Sequence, residues 1–258
     1  MGKLNDKIAI LTGCASGLGR QEALRFVAEG AKVAICDIQE DKLDETRKLC
    51  EEKGGEVLSF PCDVRSVETL SAFVDATVQR FGTIDVLVNN VHSTTLKPFL
   101  DQDFADLQRE VEISFYSGWH MMKLCFPYLK DKPGYGASII NFGSRWGMES
   151  PALASTYSPV KEAVRALTRV VAREWGVHNI RVNAVCPGGF TDNARNDLHT
   201  FPTDVQEYAM SAFKDNVFHR LGDPYEDVAP VVVFLASDDS HWMSGQTVNA
   251  DGGGWITA

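Results

Sequence analysis

The chain has 258 residues, 44% of them hydrophobic, which is enough to bury the core of one large α/β domain or two small ones. It carries 25 Lys and Arg against 35 Asp and Glu, a formal net charge of −10. Because nucleic acids and anionic membranes bind clustered Lys and Arg, this balance argues against both as partners.

Short β-branched runs alternate with longer helical patterns along the chain, without a linker tract or a fixed-period repeat. The predicted strands cover 7–12, 32–37, 56–63, 84–90, 137–143, 180–187 and 246–250. The predicted helices cover about 17–29, 40–53, 66–81, 102–130, 156–177 and 225–236. Apolar strands separated by helices predict a parallel sheet of about seven strands with helices on both faces. We therefore predict an α/β fold, a single doubly wound, Rossmann-like domain over 1–258.

A long insertion, at about 188–224, follows the sixth predicted strand. It carries scattered aromatic and turn residues, among them Phe190, Phe201, Tyr208 and Phe213. Long insertions after the carboxyl end of a strand are more often lids than linkers. We therefore predict a substrate lid.

The six cysteines, at 14, 36, 50, 62, 125 and 186, form no CxxC pair and no metal-ligand spacing. Several lie inside apolar runs, so we expect buried thiols in a reducing compartment. The six histidines form no HExxH-like pattern, and no metal is predicted. The N-terminus shows no signal-peptide pattern, and no stretch approaches the ~20 apolar residues of a membrane span. We expect a cytoplasmic protein.

A glycine-rich turn joins the first predicted strand to the first helix, with Gly13, Gly17 and Gly19. This is not the spacing of GxGxxG, but the physical uses are the same. Glycines allow a tight turn and a close approach of the backbone to a pyrophosphate, and the helix N-terminus faces the anion. The turn predicts a dinucleotide cradle.

Asp37 ends the second predicted strand, eighteen residues after Gly19. A carboxylate there can accept both ribose hydroxyls of NAD. It would repel a 2′-phosphate, at roughly 4 kcal/mol for a like-charge pair at ~4 Å and an effective dielectric of ~20. Neither Ser16 nor Ile38, the residues placed to help a phosphate, is a cation. We therefore predict NAD rather than NADP as the cofactor.

Tyr157 stands four residues before Lys161, with Pro159 between them. Four residues are about one helical turn, so the two side chains share a face, and Pro places the pair at a helix start. Bringing a phenol from ~10 to a pKa near ~7 needs roughly 4 kcal/mol, which one ammonium at ~4 Å supplies at an effective dielectric of ~20. A solvated helix face is the alternative for an isolated pair.

These pieces stand in an order that resembles the short-chain dehydrogenase/reductase family from end to end. The matching residues are Thr12-Gly13-x-x-x-Gly17-x-Gly19, Asp63, Asn89-Asn90, Ser144, Tyr157-x-x-x-Lys161, Pro187-Gly188 and the ending "FLASDDSHWMSGQTVNADGG". The resemblance implies that Tyr157 is the acid/base, that Ser144 binds the substrate oxygen, and that Lys161 grips the nicotinamide ribose and lowers the pKa of Tyr157. It also implies a homotetramer built on the two long helices.

The resemblance also implies the contacts of cofactor and substrate. Asp63 and Val64 would flank adenine, Asn89 would lie beside the adenosine ribose, and the Pro187–Thr191 loop would lie against the nicotinamide. Cofactor contacts are expected from Gly13, Ser16, Gly17, Leu18, Gly19, Asp37, Ile38, Asp63, Val64, Asn89, Val91, Tyr157, Lys161, Pro187, Gly188, Phe190 and Thr191. Substrate contacts are expected from His92, Arg145, Trp146, Gly189 and Phe190.

Two positions depart from the family pattern. Ser114 stands where many members have an Asn that holds a water of the outer proton relay, and we include Ser114 with the catalytic residues. "NNVHS" stands where the family often has "NNAG", so Val91 and His92 bring side chains to the turn beside the cofactor. His92 is either a substrate contact or a tolerated loop residue.

The resemblance implies reversible hydride transfer between NAD(H) and a secondary alcohol or ketone, a small-molecule substrate. The large apolar residues around the expected pocket favour a bulky, partly apolar substrate, alicyclic or hydroxysteroid-like. A sugar or polyol is the main alternative, and a carrier-bound acyl group fits less well. A non-catalytic NAD-sensing or scaffold protein is a further alternative, which loss of Tyr157 or Lys161 would favour, but both are present.

Overall fold

The computed structural model describes residues 2–192, 195, 198–199 and 203–256, with the side chains at 204, 205, 208, 209 and 212 left aside. Its strands are β1 (Ile8–Thr12), β2 (Lys32–Asp37), β3 (Val57–Pro61), β4 (Val86–Asn89), β5 (Ala137–Phe142), β6 (Ile180–Pro187) and β7 (Thr247–Ala250). They form one sheet in the order β3-β2-β1-β4-β5-β6-β7, and every neighbouring pair is parallel. The predicted parallel sheet is confirmed, with strand ends that differ by up to two residues.

The described helices are α1 (Gly17–Ala28), α2 (Glu40–Glu52), α3 (Val67–Phe81), α4 (Phe104–Val111), α5 (Ser117–Leu129), α6 (Arg145–Glu149), α7 (Tyr157–Trp175), α8 (Thr203–Lys214) and α9 (Ala229–Ala236). The helix predicted over 102–130 is two α-helices joined by a π-helical turn, Glu112–Tyr116. Another π-helical turn, Pro224–Val228, leads into α9. The short α6 was not predicted, because five residues are too few to show a periodic pattern.

Alternate residues of the strands bury themselves against helices on opposite faces of the sheet. In β1, Ala9 and Leu11 pack into the core under α1 and α9, whereas Ile10 packs into the core under α3, α5 and α7. Burying one such aliphatic side chain contributes about 1.5–3 kcal/mol, so the two cores hold the helices firmly against the sheet. The predicted helices on both faces are confirmed.

The strand order changes direction between β1 and β4. β1 pairs with β2 on one side and with β4 on the other. The chain connection that follows β1 therefore leads toward one edge of the sheet, and the connection that follows β4 leads toward the opposite edge. A crevice opens at such a point beyond the carboxyl ends of the strands, which is where ligands bind in doubly wound sheets. The fold therefore brings the loops after β1, β4 and β5 to one place.

Two further expectations concern the chain as a whole. All six cysteines are free and buried, as predicted. Over the described residues, no helix combines the length and apolar character needed to cross a membrane.

Candidate active site

A cleft of about 600 Å³ lies at the carboxyl ends of the strands. Its lining includes most of the predicted site residues: Gly13, Ser16, Gly17, Leu18, Asp37, Ile38, Asp63, Val64, Val91, His92, Ser144, Arg145, Trp146, Tyr157, Lys161, Pro187, Gly188, Gly189 and Thr191. Four predicted residues, Gly19, Asn89, Ser114 and Phe190, lie outside that lining. The topology thus gathers residues that are up to 238 positions apart, from Gly13 to Asp251, around one cavity.

The glycine-rich turn is packed so tightly that side chains are excluded. Gly13 has φ +75°, and a Cβ there would come within 2.8 Å of the Val91 side chain. A Cβ on Gly19 would lie 2.2 Å from the Gly13 carbonyl oxygen, so Gly19 shapes the turn from behind the cleft wall. The turn leaves backbone and the start of α1 facing the cavity, which fits the pyrophosphate of a dinucleotide.

Asp37 lies at the end of β2 and keeps its carboxylate at the cleft. Its Oδ2 accepts the Ala15 N–H at 3.1 Å and its Oδ1 accepts the Gln39 N–H at 3.0 Å, which fixes the orientation of the carboxylate. Arg65, a cation of the lining, forms an ion pair of 2.6 Å with Asp63. The adenosine end of the cleft is therefore acidic or neutral, and its residues fit NAD.

Asn90 rather than Asn89 lies at the cleft, since successive residues at the end of β4 point to opposite faces. Asn89 Nδ2 donates to Asn141 Oδ1 at 2.8 Å, and its side chain faces Gly118 of α5 rather than the cleft. Asn90 lines the cleft, and its amide donates to the carbonyl oxygens of Thr12 and Gly13 at 3.1 Å each. The Asn89 side chain is therefore not at the cofactor wall, and Asn90 braces the glycine turn there.

The Tyr157–Lys161 pair stands at the start of a helix, as predicted. Tyr157 is the first residue of α7, and Pro159 lies in its first turn, where no intrahelical hydrogen bond is lost. Both side chains are buried at the floor of the cleft. Lys161 Nζ lies 5.7 Å from the centre of the Tyr157 ring and donates to the Phe142 carbonyl oxygen at 2.9 Å.

Ser144 precedes α6 and caps it by accepting the Trp146 N–H at 3.1 Å. The hydrogen bond between Ser144 and the Tyr157 hydroxyl favours the phenolate, but burial of Tyr157 is the larger effect and raises its pKa well above the usual value. Burial thus opposes the lowering of this pKa that the family resemblance implies for Lys161, because it destabilises the phenolate. Tyr157 holds its proton at neutral pH.

Burial lowers the pKa of Lys161, whereas it raises the pKa of Tyr157. Desolvation of the ammonium lowers the pKa of Lys161 to about 8, although Glu110 and Cys186 favour the charged form. The same buried region therefore holds a neutral phenol and an ammonium close to its titration point. Such opposed shifts in a cleft are typical of acid/base sites.

Two aromatic residues flank Tyr157. The rings of His92 and Trp146 lie edge-on to the Tyr157 ring, with centroids 6.5 Å and 6.4 Å away. Desolvation by the cleft walls and the Lys161 charge lower the pKa of His92 to about 4, even though solvent still reaches the ring through the open cleft. His92 is therefore a neutral group at the substrate end of the cleft.

Arg145 lines the cleft, but its guanidinium is engaged by protein groups. It donates to Glu149 Oε1 at 2.6 Å and to the Asp215 carbonyl oxygen at 3.0 Å. Asp215 follows α8 within the predicted lid, so Arg145 joins this region to the helix that Ser144 caps. A substrate carboxylate would have to compete with these partners for its predicted contact.

Two contacts join residues of the predicted lid to one another. A bridge between Gly189 and Gly222 closes the base. The Phe190 ring packs edge-on against Phe213 at 4.9 Å, and Phe213 rather than Phe190 lines the cleft. Phe201 and the Tyr208 side chain, named above for the lid, lie outside the described residues.

Ser114 lies behind the cleft, in the π-helical turn, and binds a residue that the sequence did not point out. Its hydroxyl donates to Glu110 Oε1 at 2.7 Å, and its oxygen accepts the Ser93 N–H at 3.1 Å. The Ser93 hydroxyl donates to Glu110 Oε2 at 3.0 Å. The sequence did contain one indication of this contact, because Glu110 and Ser114 are four residues apart and so share one helix face.

The chain is similar to known proteins along nearly its whole length. A family model described as enoyl-(acyl carrier protein) reductase matches residues 13–254. The 7alpha-hydroxysteroid dehydrogenase of Escherichia coli K12 is 32% identical over 252 residues, which cover 98% of this chain and 95% of the relative. The 12alpha-hydroxysteroid dehydrogenase of a Clostridium species is 33% identical over 268 residues, 98% of each chain.

Solved structures agree with this relationship. A 7alpha-hydroxysteroid dehydrogenase complexed with NADH and 7-oxo glycochenodeoxycholic acid has a TM-score of 0.88 at 31% identity, covering 97% of this chain and 95% of that one. An NAD+-bound xylitol dehydrogenase has a TM-score of 0.89 at 30% identity, covering 97% of this chain and all of that one. Both structures pair this fold with a nicotinamide cofactor.

Proposed function

Because the chain belongs to the short-chain dehydrogenase/reductase family, we propose that Tyr157, Ser144 and Lys161 are the catalytic residues of an NAD-dependent enzyme that interconverts a secondary alcohol and its ketone. The protein is an NAD-dependent oxidoreductase of alcohols and ketones. The observation that carries the residue assignment is the buried Tyr157 at the cleft floor, between the hydroxyl of Ser144 and the ammonium of Lys161.

Each catalytic residue has one task. In ketone reduction the Tyr157 hydroxyl gives its proton to the carbonyl oxygen while the carbonyl carbon receives a hydride, and in oxidation both transfers run backwards. Ser144 holds that oxygen and stabilises its developing charge. When bound, NAD supplies the carbon that takes or gives the hydride, and in its oxidised form a positive ring that favours the phenolate. Lys161, fixed by the Phe142 carbonyl, keeps a positive charge beneath the phenol.

Asp37 supports the preference for NAD over NADP. Its fixed carboxylate faces the adenosine end of the cleft, where the ribose hydroxyls of NAD can donate to it. A 2′-phosphate would meet this charge at a cost of roughly 4 kcal/mol per like-charge pair at ~4 Å and an effective dielectric of ~20. Arg65 offers little compensation, because its guanidinium is paired with Asp63.

We propose a bulky, partly apolar substrate. The substrate end of the cleft is walled by Trp146, Leu96, Leu198 and Phe213, with the neutral His92 as a polar contact. Arg145 is paired with Glu149 and Asp215, so the cleft offers little free positive charge there. The hydroxysteroid relatives suit this shape, and the xylitol dehydrogenase keeps a polyol as the alternative substrate.

We further propose that the protein is one domain, that residues of about 188–224 act as the lid, and that the protein assembles as a homotetramer in the cytoplasm. The outer faces of α5 and α7 and the turn before α5 expose large apolar side chains, such as Trp119 (43% exposed), Val170 (49%) and Tyr116 (51%). A helix-to-helix interface would bury them. The mass of the protein in solution tests the tetramer.

The test follows nicotinamide absorbance while hydroxysteroids, alicyclic alcohols and polyols are offered with NAD or NADP. We expect turnover with NAD on at least one bulky alcohol. Tyr157→Phe removes the proton donor and is expected to lower kcat by ~10³-fold, since acid/base catalysis contributes about 10²–10⁴-fold. The matched control is Tyr135→Phe at an exposed site, which should leave kcat unchanged.

The outcomes separate the parts of the proposal. Preference for NADP would overturn the role of Asp37. Turnover by Tyr157→Phe within tenfold of the wild-type rate would overturn the acid/base assignment. Turnover of polyols alone would show that the proposed substrate class is wrong, and it would leave the proposed mechanism unchanged.

A further inference from the structure

Glu110 is a buried carboxylate that the catalytic mechanism above does not use. It lies in α4 with 1% of its surface exposed, and both of its oxygens receive hydroxyl hydrogen bonds. Ser114, four residues later on the same helix, donates at 2.7 Å, and Ser93, in the loop after β4, donates at 3.0 Å. Because these hydroxyls donate, the arrangement suits an ionised acid rather than a protonated one.

The hydroxyl cluster adjoins the catalytic loop. Ser93 follows His92, whose ring lies beside Tyr157, and the Ser93 N–H donates to Ser114 Oγ. Glu110 and Ser114 therefore hold this stretch of the cleft wall by two hydrogen bonds to Ser93, and a third joins them to each other. A structural role for Glu110 follows directly from these contacts.

Glu110 also faces the catalytic pair electrostatically. Burial raises the pKa of Glu110, whereas the two hydroxyls and, from α7, the Lys161 ammonium favour its ionised form. In return the Glu110 charge favours the ammonium of Lys161 and disfavours the phenolate of Tyr157. The other titratable groups around the pair are Cys186 of β6 and His92 of the loop after β4. The family resemblance places an Asn at the position of Ser114, and in this chain the Ser hydroxyl at that position donates to a buried carboxylate.

We propose, resting on the acid/base role of Tyr157, that the Glu110 carboxylate is the internal counter-charge of Lys161 and sets the pH range over which Tyr157 holds its proton. Glu110 touches neither substrate nor cofactor in this assignment and is a positioning residue. A negative charge near the Tyr157 phenol raises the pH at which the phenol ionises. The proton donor for ketone reduction is therefore present up to a higher pH. For the same reason, the Tyr157 phenolate, the base that alcohol oxidation needs, forms only at a higher pH.

The test is the pH dependence of hydride transfer in both directions for Glu110→Gln, with NAD(H) saturating. Gln keeps the shape and an oxygen that can accept a hydroxyl, but it carries no charge. The rising limb of oxidation and the falling limb of reduction should both move to lower pH by about one unit, as for the loss of one nearby charge. The KM for NAD should stay within about twofold of the wild-type value, since Glu110 lies outside the cleft lining.

Two variants separate charge from structure. Glu110→Asp keeps the charge, and we expect the limbs within ~0.3 pH units of wild type even if kcat falls. Glu52→Gln, at an exposed position of α2, is the matched control for removal of one carboxylate and should leave both limbs in place. A purely structural role would lower kcat in Glu110→Gln and Glu110→Asp alike without moving the limbs, and that result would overturn the proposal.

A readout without turnover keeps this test separate from that of the catalytic assignment. The ionisation of Tyr157 is followed in the NAD complex by near-ultraviolet tyrosinate absorbance, as the difference between each protein and its Tyr157→Phe counterpart. The proposal expects the ionisation in Glu110→Gln at a pH lower by about one unit. An unchanged ionisation pH would contradict it, whether or not Tyr157→Phe has lost activity.

Discussion

Two buried glutamates of this protein have similar exposure and opposite surroundings. Glu22 of α1 is fully buried in the apolar core between α1 and the sheet, and its carboxyl has no hydrogen-bond partner among the described residues. Glu110 of α4 is 1% exposed, receives two hydroxyl hydrogen bonds and faces Lys161. Burial raises the pKa of both, to about 8 for Glu22.

The comparison shows that burial alone does not decide what a carboxyl group does. Glu22 has nothing to offset its desolvation, so it is protonated at neutral pH and costs stability. At Glu110, two donors and an ammonium oppose the same desolvation and keep a charge where the catalytic pair can use it. A buried glutamate thus lowers the stability of the fold at position 22, whereas at position 110 it serves the catalytic pair in our proposal.

Glu22→Met should give the largest effect. At pH 7 folding must protonate a group with an ordinary pKa of 4.5, which costs about 3 kcal/mol, and Met fills a similar volume without that cost. We expect Tm to rise by more than about 5 °C, measured by calorimetry. An unchanged or lower Tm would mean that Glu22 has a partner that offsets its burial.

The pH dependence of stability provides the control. Because the pKa of Glu22 is raised on folding, its protonated form contributes fully below pH ~4.5, and stability falls by up to ~1.4 kcal/mol per pH unit as pH rises to ~8. This decline should be present in the wild type and reduced in Glu22→Met. Denaturant unfolding at pH 5, 6, 7 and 8 measures it, and parallel curves for the two proteins would contradict the assignment.

The same substitution at the other site should have the opposite sign. Glu110→Met removes the acceptor of the Ser93 and Ser114 hydroxyls and the counter-charge of Lys161, so buried donors remain unpaired. We expect a loss of about 2 kcal/mol at pH 7, seen as a lower Tm. Stabilisation by Glu110→Met would mean that Glu110, like Glu22, is an uncompensated buried acid, and the contrast between the two sites would fail.

Ser114→Ala should have the smallest effect of the three. It removes the hydroxyl that donates to Glu110 and accepts the Ser93 N–H, but it leaves the Ser93 hydroxyl and the Lys161 charge to hold Glu110 ionised. We expect a loss of about 1.5 kcal/mol in unfolding free energy, since two hydrogen bonds are removed and each contributes roughly 0.5–1 kcal/mol. A loss as large as that of Glu110→Met would indicate that Ser114 alone holds the carboxylate.

Most of the residues predicted to contact the cofactor line the cleft. The turn with Gly13 and Gly19, the acid Asp37 and the pair of Tyr157 and Lys161 each depend on short spacings next to a strand end or a helix start. Such local geometry is fixed within a few residues, so the pattern carries over to the structure.

The residues whose surroundings were not predicted depend on contacts between distant parts of the sequence, or on which of two adjacent strand residues faces the cleft. The side chain of Asn89 was expected at the cleft and Asn90 occupies that place, because adjacent strand residues face opposite sides. Glu110 receives a hydrogen bond from Ser93, seventeen positions away, and Arg145 binds Asp215, seventy positions away. No spacing rule connects such pairs, so sequence could not separate the engaged Arg145 from a free substrate-binding cation.

The most direct test of the catalytic assignment is the single-turnover rate of hydride transfer for the wild type across pH, in both directions. The assignment predicts that oxidation rises and reduction falls through the ionisation of one group, and that Tyr157→Phe loses this group together with the rate. The same pH dependence in Tyr157→Phe would show that another residue carries the proton, and the assignment would be wrong.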